Sequence, residues 1–408
     1  MRTTEKNKHS YVIFFALLFL AHNYVVTASL NPLRLSDVCY PYFLVDFSMG
    51  FCSKLLPGAI YNFLFDNTSR VAVFSYNTFI FIAFVLVVFV MLEKLILRVG
   101  YDDRKNFFCM SILFLTGISV FPMCVYKMGS LDSYWIYFTI LSVVFLSDRR
   151  LYLLIIPSSL MVIMVNFGGI FVYIPFIILL TIYKSTVIQE KSEKYYLCVV
   201  AAITTVLSIL LSGYFVIYEQ GNLVYTFEEF TQILNNRGYD GVSRYYATGL
   251  YSEPYYDTVD YAGINGIESP IYRALYFVFQ RFLLTLKMTA FEKGVLPFLV
   301  SSPTVVVVIY CFNKFIKCHG ISGLKKFVLF CMSAMFFMSI AICIIFSSDV
   351  VRFIGHAYSL LIASFFYVVY YERENISGIL TALIKKIPKA VVFLYYLMYV
   401  FLVFDPEG

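Results

Sequence analysis

The 22 residues from Val71 to Leu92, VAVFSYNTFIFIAFVLVVFVML, contain no Asp, Glu, Lys or Arg. At about 1.5 Å of rise per residue, a helix of this length crosses the roughly 30 Å hydrocarbon core of a bilayer. A water-facing helix would carry a polar stripe, and this stretch has none. Charge-free runs of comparable or greater length recur at 106–126, 151–183 and 195–218. The chain has 408 residues, is 61% hydrophobic and 14% charged, and has a mean hydropathy of +0.80, too little polar surface to cover a water-soluble globule of that size. The fold class that follows is all-α: a polytopic transmembrane helix bundle of about eleven spanning helices, with two long outside loops and one interfacial amphipathic helix.

The expected spans are 11–29, 71–93, 107–126, 131–147, 151–166, 169–184, 196–217, 294–313, 327–347, 351–371 and 389–404. With a cytoplasmic N-terminus, 20 of the 31 Lys and Arg residues fall in the inside connections, which is the positive-inside bias. The N-terminus, basic at Arg2, Lys6 and Lys8 and apolar from Tyr11, imitates a secretory signal and reads as a retained first helix. The whole of 1–408 is one integral membrane domain. Residues 30–70 form the first outside loop, and 218–293 the large outside loop plus its interfacial helix, the latter at 270–293 with Tyr272, Tyr276, Phe277 and Phe282 at headgroup depth.

The net charge of +6 is spread over short connections, so it marks topology rather than a nucleic-acid contact. Most of the nine Cys residues lie inside expected spans as small apolar fillers, without CxxC pairs or metal-ligand spacing, and no metal or cofactor is expected. Cys39 and Cys52 share the first outside loop, where a disulfide is the alternative. No Walker loop, HExxH, GxSxG or dinucleotide fingerprint occurs.

The candidate chemistry lies near the outer rims of the expected spans. Asp37 and Asp46 stand among aromatic residues in the first outside loop, where desolvation raises a carboxyl pKa and suits a general base; the alternative is an ordinary solvated loop. Asp132 opens the fourth span. Asp349 and Arg352 lie at the junction of the ninth and tenth spans, with His356 one turn further on the face of Arg352. An Arg there suits a diphosphate through its bidentate fork, or else pairs with Asp349 at a helix end. His22 reads as an interhelical polar residue. The second long loop is acidic and Tyr-rich around Arg237 and Arg244, a surface suited to carbohydrate, or a solvated cover over the bundle.

Three stretches carry a resemblance. They are Asp46-Phe47-Ser48-Met49-Gly50-Phe51-Cys52-Ser53-Lys54, the Arg149-Arg150 pair followed by the apolar run through Asn166-Phe167-Gly168-Gly169-Ile170-Phe171-Val172-Tyr173-Ile174-Pro175, and Ser348-Asp349-Val350-Val351-Arg352. In these the chain resembles the polytopic membrane proteins of bacterial surface-polysaccharide gene clusters: O-antigen and capsule polymerases of the Wzy type and GT-C-type glycosyltransferases. Lys54 departs from that pattern, because a Lys cannot make the bidentate phosphate contact of an Arg.

The resemblance implies a multi-pass protein of the bacterial inner membrane that transfers polyprenyl-diphosphate-linked sugars at the outer face, with lipid-linked oligosaccharide, the bilayer and other polysaccharide-assembly proteins as partners. It implies Asp46 or Asp37 as the base on the acceptor hydroxyl, and Arg352 with Arg237 or Arg244 as holders of the diphosphate. A transporter or flippase of lipid-linked oligosaccharide is the alternative, and it requires polar residues through the depth of the membrane.

Overall fold

The computed structural model describes residues 10–28, 35, 39–126, 128–218, 227–238, 269, 271–272, 276, 290–318, 320–346 and 350–401. Among these residues every regular element is helical. The helices are α1 Ser10–Ala28, α2 Leu56–Leu64, α3 Arg70–Arg98, α4 Arg104–Leu115, α5 Val120–Tyr126, α6 Leu131–Phe145, α7 Ile155–Val165, α8 Gly169–Val187 and α9 Lys191–Tyr218. They continue with α10 Phe227–Asn236, α11 Ala290–Ile316, α12 Gly323–Phe346, α13 Val350–Tyr371, α14 Arg373–Ile384 and α15 Lys389–Phe401.

Seven of the described helical segments are long and apolar enough to cross a bilayer: 70–98, 101–122, 169–187, 191–215, 294–316, 323–342 and 351–371. Their outward faces carry exposed Phe79 and Ile82 on α3, Ile209 and Leu210 on α9, and Phe330 and Phe337 on α12. Such faces stay out of water only when lipid covers them, so the chain is a multi-pass membrane protein. α13 is the hub. In its membrane-length window 78% of the residues are buried, against 33–61% in the other six, and it packs against α3, α5, α8, α11, α12 and α14.

Several expected spans take a different form. The stretch 107–126 is two helices, because Gly117 adopts φ +63° between α4 and α5 and lies against the Tyr399 ring of α15. The expected span at 131–147 is the 15-residue α6, and that at 151–166 is a 3₁₀ turn followed by the 11-residue α7. These helices are about 22 and 16 Å long, shorter than a full crossing, and pack on each other as a hairpin. Of the stretch 270–293, only Ile271, Tyr272, Tyr276 and the first turn of α11 lie within the described residues.

Capping explains several boundaries. Ser69 accepts the Ala72 amide at the start of α3, and Ser130 accepts the Ser133 amide at the start of α6. Trp135 Nε1 ties α6 to the end of α7, donating to Val162 O at 3.0 Å and Asn166 O at 3.2 Å, each of which also accepts a backbone amide. His22 joins α1 to α15 through Val400 O at 3.0 Å, in keeping with an interhelical polar residue. Cys39 and Cys52 are both buried and are not joined, so the alternative disulfide is absent.

The first long loop is a packed layer. Its segment 39–55 holds two 3₁₀ turns and leads into α2, whose Gly58 lies directly on the backbone of the same loop. A Cβ at Gly58 would stand 2.0 Å from Val45 O and 2.3 Å from Tyr42 O. Gly58→Ala is therefore expected to lower stability by at least about 2 kcal/mol, because backbone has to move. Gly213→Ala in α9 meets nothing within 4 Å and is expected to change stability by less than about 1 kcal/mol. Thermal unfolding of the two variants in detergent checks the contrast.

Candidate functional site

Three helices bring their N-terminal turns to one end of the bundle. Asp132 is the second residue of α6, Tyr173 the fifth of α8, and Arg352 the third of α13, with His356 one turn deeper. The Asp132 carboxylate bridges the latter two: Oδ2 lies 3.4 Å from Arg352 Nε and Oδ1 lies 3.5 Å from His356 Nε2. Nδ1 of His356 pairs with the Tyr173 hydroxyl. Trp135 closes the wall, its ring centroid 5.9 Å from that of His356 and 5.5 Å from that of Tyr173.

Exposure grades across this cluster. The His356 side chain is fully buried, that of Asp132 is 8% exposed and that of Arg352 is 27% exposed. A guanidinium therefore forms the accessible rim, with a carboxylate and an imidazole beneath it. Helix N-termini carry partial positive charge, so an Arg in the first turn of α13 beside the start of α6 makes an environment suited to an anion. Among the described residues, no group of three or more His, Cys, Asp or Glu is arranged to hold a metal ion.

A second cluster ties the two long loops together. Asp46 caps the 3₁₀ turn Phe47–Met49, accepting the Ser48 amide at 2.9 Å as well as the Ser48 hydroxyl, and it accepts Asn62 Nδ2 at 3.2 Å. Arg237, just past α10, reaches across to Asp46 Oδ2 at 3.4 Å and donates to the Leu44 carbonyl. The loop is also strapped to α7, where the Lys54 amide donates to Met164 O at 3.0 Å and Lys54 itself takes φ +73°. Phe43 of the same loop packs on Tyr134 of α6. The layer thus lies over the end of the bundle that holds Asp132.

Of the sequence candidates, the structure brings together Asp132, Arg352 and His356, and separately Asp46 and Arg237. Asp37, Asp349 and Arg244 lie outside the described residues, and with them the Asp349 to Arg352 pair. The expected raised pKa of Asp46 is reversed. Burial pushes the carboxyl up, but the Ser48 hydroxyl and amide, then Arg237 and Asn62, outweigh it and hold the group below the usual carboxylate range. The sequence reading missed the roles of Tyr173 and Trp135. Trp135 was findable, since it stands three residues after Asp132 on the same helix face and is the chain's one Trp. Tyr173 carries no local signal within its apolar run.

The Asp46 clasp has a pH signature. Its folded pKa is depressed, so its contribution is full above the ordinary Asp value of 3.8 and is lost as pH falls through the lower folded value. Asp46→Ala is expected to reduce stability by about 1–2 kcal/mol near neutrality. The gap between wild type and variant closes in strong acid, as checked by thermal unfolding at a series of pH values.

No protein-family profile matches the chain, and neither does any curated protein or solved structure, so the functional reading rests on this geometry and on the sequence.

Proposed function

We propose that the chain is a membrane-embedded glycosyltransferase or polysaccharide polymerase. On this reading it takes sugars from a polyprenyl-diphosphate carrier at the outer face of the bacterial inner membrane, in O-antigen or capsule biosynthesis, with about eleven membrane segments and a cytoplasmic N-terminus. The observation that carries the reading is the contact of Asp132, at the start of α6, with Arg352, at the start of α13, backed by His356 and Tyr173. A diphosphate is the leaving group such a site suits, because the Arg fork and the helix ends both favour concentrated negative charge.

The chemistry follows from the layering. The acceptor hydroxyl attacks the anomeric carbon, and the bond between that carbon and the carrier's phosphate oxygen breaks. The bonding pair leaves with the diphosphate, whose charge Arg352 neutralises. As the guanidinium engages phosphate, Asp132 is released from it to accept the acceptor's proton. His356, fixed by Tyr173, holds the second oxygen of Asp132 in place as a positioning residue. Asp132 takes the role expected of Asp46 or Asp37 because it touches the Arg that holds the leaving group. Asp46 and Arg237 instead fasten the loops that cover the site.

The rival flippase reading needs polar residues through the membrane depth. Among the described residues, the pairs Asp132–Arg352 and Lys325–Glu372 sit at the two ends of α13.

The test is glycan profiling of cells lacking the protein and complemented with wild type, Asp132→Asn, Arg352→Lys or Arg352→Ala, each shown to insert at normal levels. Both Asp132→Asn and Arg352→Ala are expected to collapse long chains to a single repeat unit, with transfer falling about 10²–10³-fold. Arg352→Lys is expected to fall between, since it keeps the charge and loses the fork. Unchanged chain length in all variants overturns the site. Repeat units trapped on the cytoplasmic side of the membrane in the null strain overturn the transferase reading in favour of a flippase.

A further inference from the structure

A cavity of about 710 Å³ lies between α3, α6, α8 and α13. It runs from Tyr173, at the site end, to Arg98, Lys94 and Lys184 at the opposite end of the bundle. Along its length the wall is apolar, with Met91, Val143, Phe176, Leu180 and Phe366 facing it. On α8 it spans Tyr173 to Lys184, about 16 Å at the helical rise, and on α3 it spans Leu86 to Arg98, about 18 Å. Those lengths are close to half the roughly 30 Å hydrocarbon core, the depth that one leaflet's lipid chain occupies.

The cationic end has an unusual set of partners. The Arg98 guanidinium lies 4.1 Å from the centre of the Tyr370 ring, and Lys184 Nζ lies 4.5 Å from that of Tyr371 while donating to its hydroxyl at 2.7 Å. Among the described residues no carboxylate pairs with Arg98, Lys94 or Lys184. The nearby Glu372 is taken by Lys325. Three positive charges stand together at the mouth of a slot whose walls reject charge, so the complementary ligand is an amphiphile with an anionic head and a hydrocarbon tail.

We propose that this cavity is a binding site for one anionic phospholipid, its chain lying along the apolar wall and its phosphate held by Arg98, Lys94 and Lys184. The tyrosines keep the two best-placed cations at the mouth without neutralising them, which leaves their charge for the lipid. A free phosphate would gain nothing from the apolar wall, and a zwitterionic lipid would bring a cationic group up to three others. The site does not depend on the sugar-transfer reading.

The experiment uses the full chain purified in detergent, stripped of lipid, and titrated with phosphatidylglycerol or with phosphatidylcholine of the same chains while bound lipid is counted by native mass spectrometry. Phosphatidylglycerol is expected to bind at least tenfold more tightly at one site, and an excess of inorganic phosphate is expected not to displace it. Arg98→Gln combined with Lys184→Gln is expected to remove the preference. Ala363→Phe, which fills the slot from α13 and keeps every charge, is expected to remove the site itself. Equal binding of the two lipids, which marks ordinary annular lipid, overturns the proposal, as does displacement by inorganic phosphate. A preference that survives the charge variant, or stoichiometric binding that survives Ala363→Phe, overturns it equally, and the latter decides the matter if the charge variant fails to fold.

Discussion

One carboxylate, Asp132, fixes how the central helix meets the rest of the bundle. It touches Arg352 and His356, which stand one turn apart on α13, so it sets both the rotation and the height of that helix against α6. Because Arg352 is partly exposed, the contact is worth less than a fully buried pair, and its larger contribution is geometric. A mismatch of one residue in the register of α13 would separate Asp132 from both partners, which makes the contact a specifier of register. α13 in turn touches α3, α5, α8, α11, α12 and α14, so its placement propagates through most of the fold.

That contact works because lipid surrounds the bundle. Outside the rims the helices present Phe, Ile and Leu in all directions, and such surfaces give little directional information about which helix faces which. Specific packing must come from polar side chains that find partners and from close backbone approaches. The structure uses both. Trp135 donates to two carbonyls at the C-terminal end of α7, His22 reaches the α15 backbone, and Gly58 and Gly117 permit contacts that any side chain would block. The short hairpin of α6 and α7 is tolerated in a membrane on the same terms, since neighbouring helices and the packed loop 39–55 cover its unsatisfied ends.

This division explains what the sequence makes legible. Hydropathy locates the helical segments, because a charge-free run such as 71–92 has no other stable form in a bilayer. It does not show that 107–126 breaks at Gly117 or that 151–166 holds only 11 α-helical residues, since both changes leave the composition apolar. The spacing of Arg352 and His356 puts them on one face, but their partner lies 220 and 224 positions away on another helix. Asp46 shows the same limit from the other side. Its aromatic neighbours in sequence imply a desolvated carboxyl with a raised pKa, whereas in space it is surrounded by donors from Ser48, Asn62 and Arg237, of which only Ser48 is local.

Tyr173 joins the candidate site to the apolar slot. Its hydroxyl pairs with His356 at the candidate site, while its ring forms the end wall of the apolar slot that opens at Arg98 and Lys184. A ring held at its tip by a buried imidazole and edged by Trp135 has little freedom to turn. Material packed against its free face therefore presses on a side chain already committed to the Asp132 cluster. The geometry gives the cavity a direct mechanical contact with the site through one residue, with no need for a longer relay.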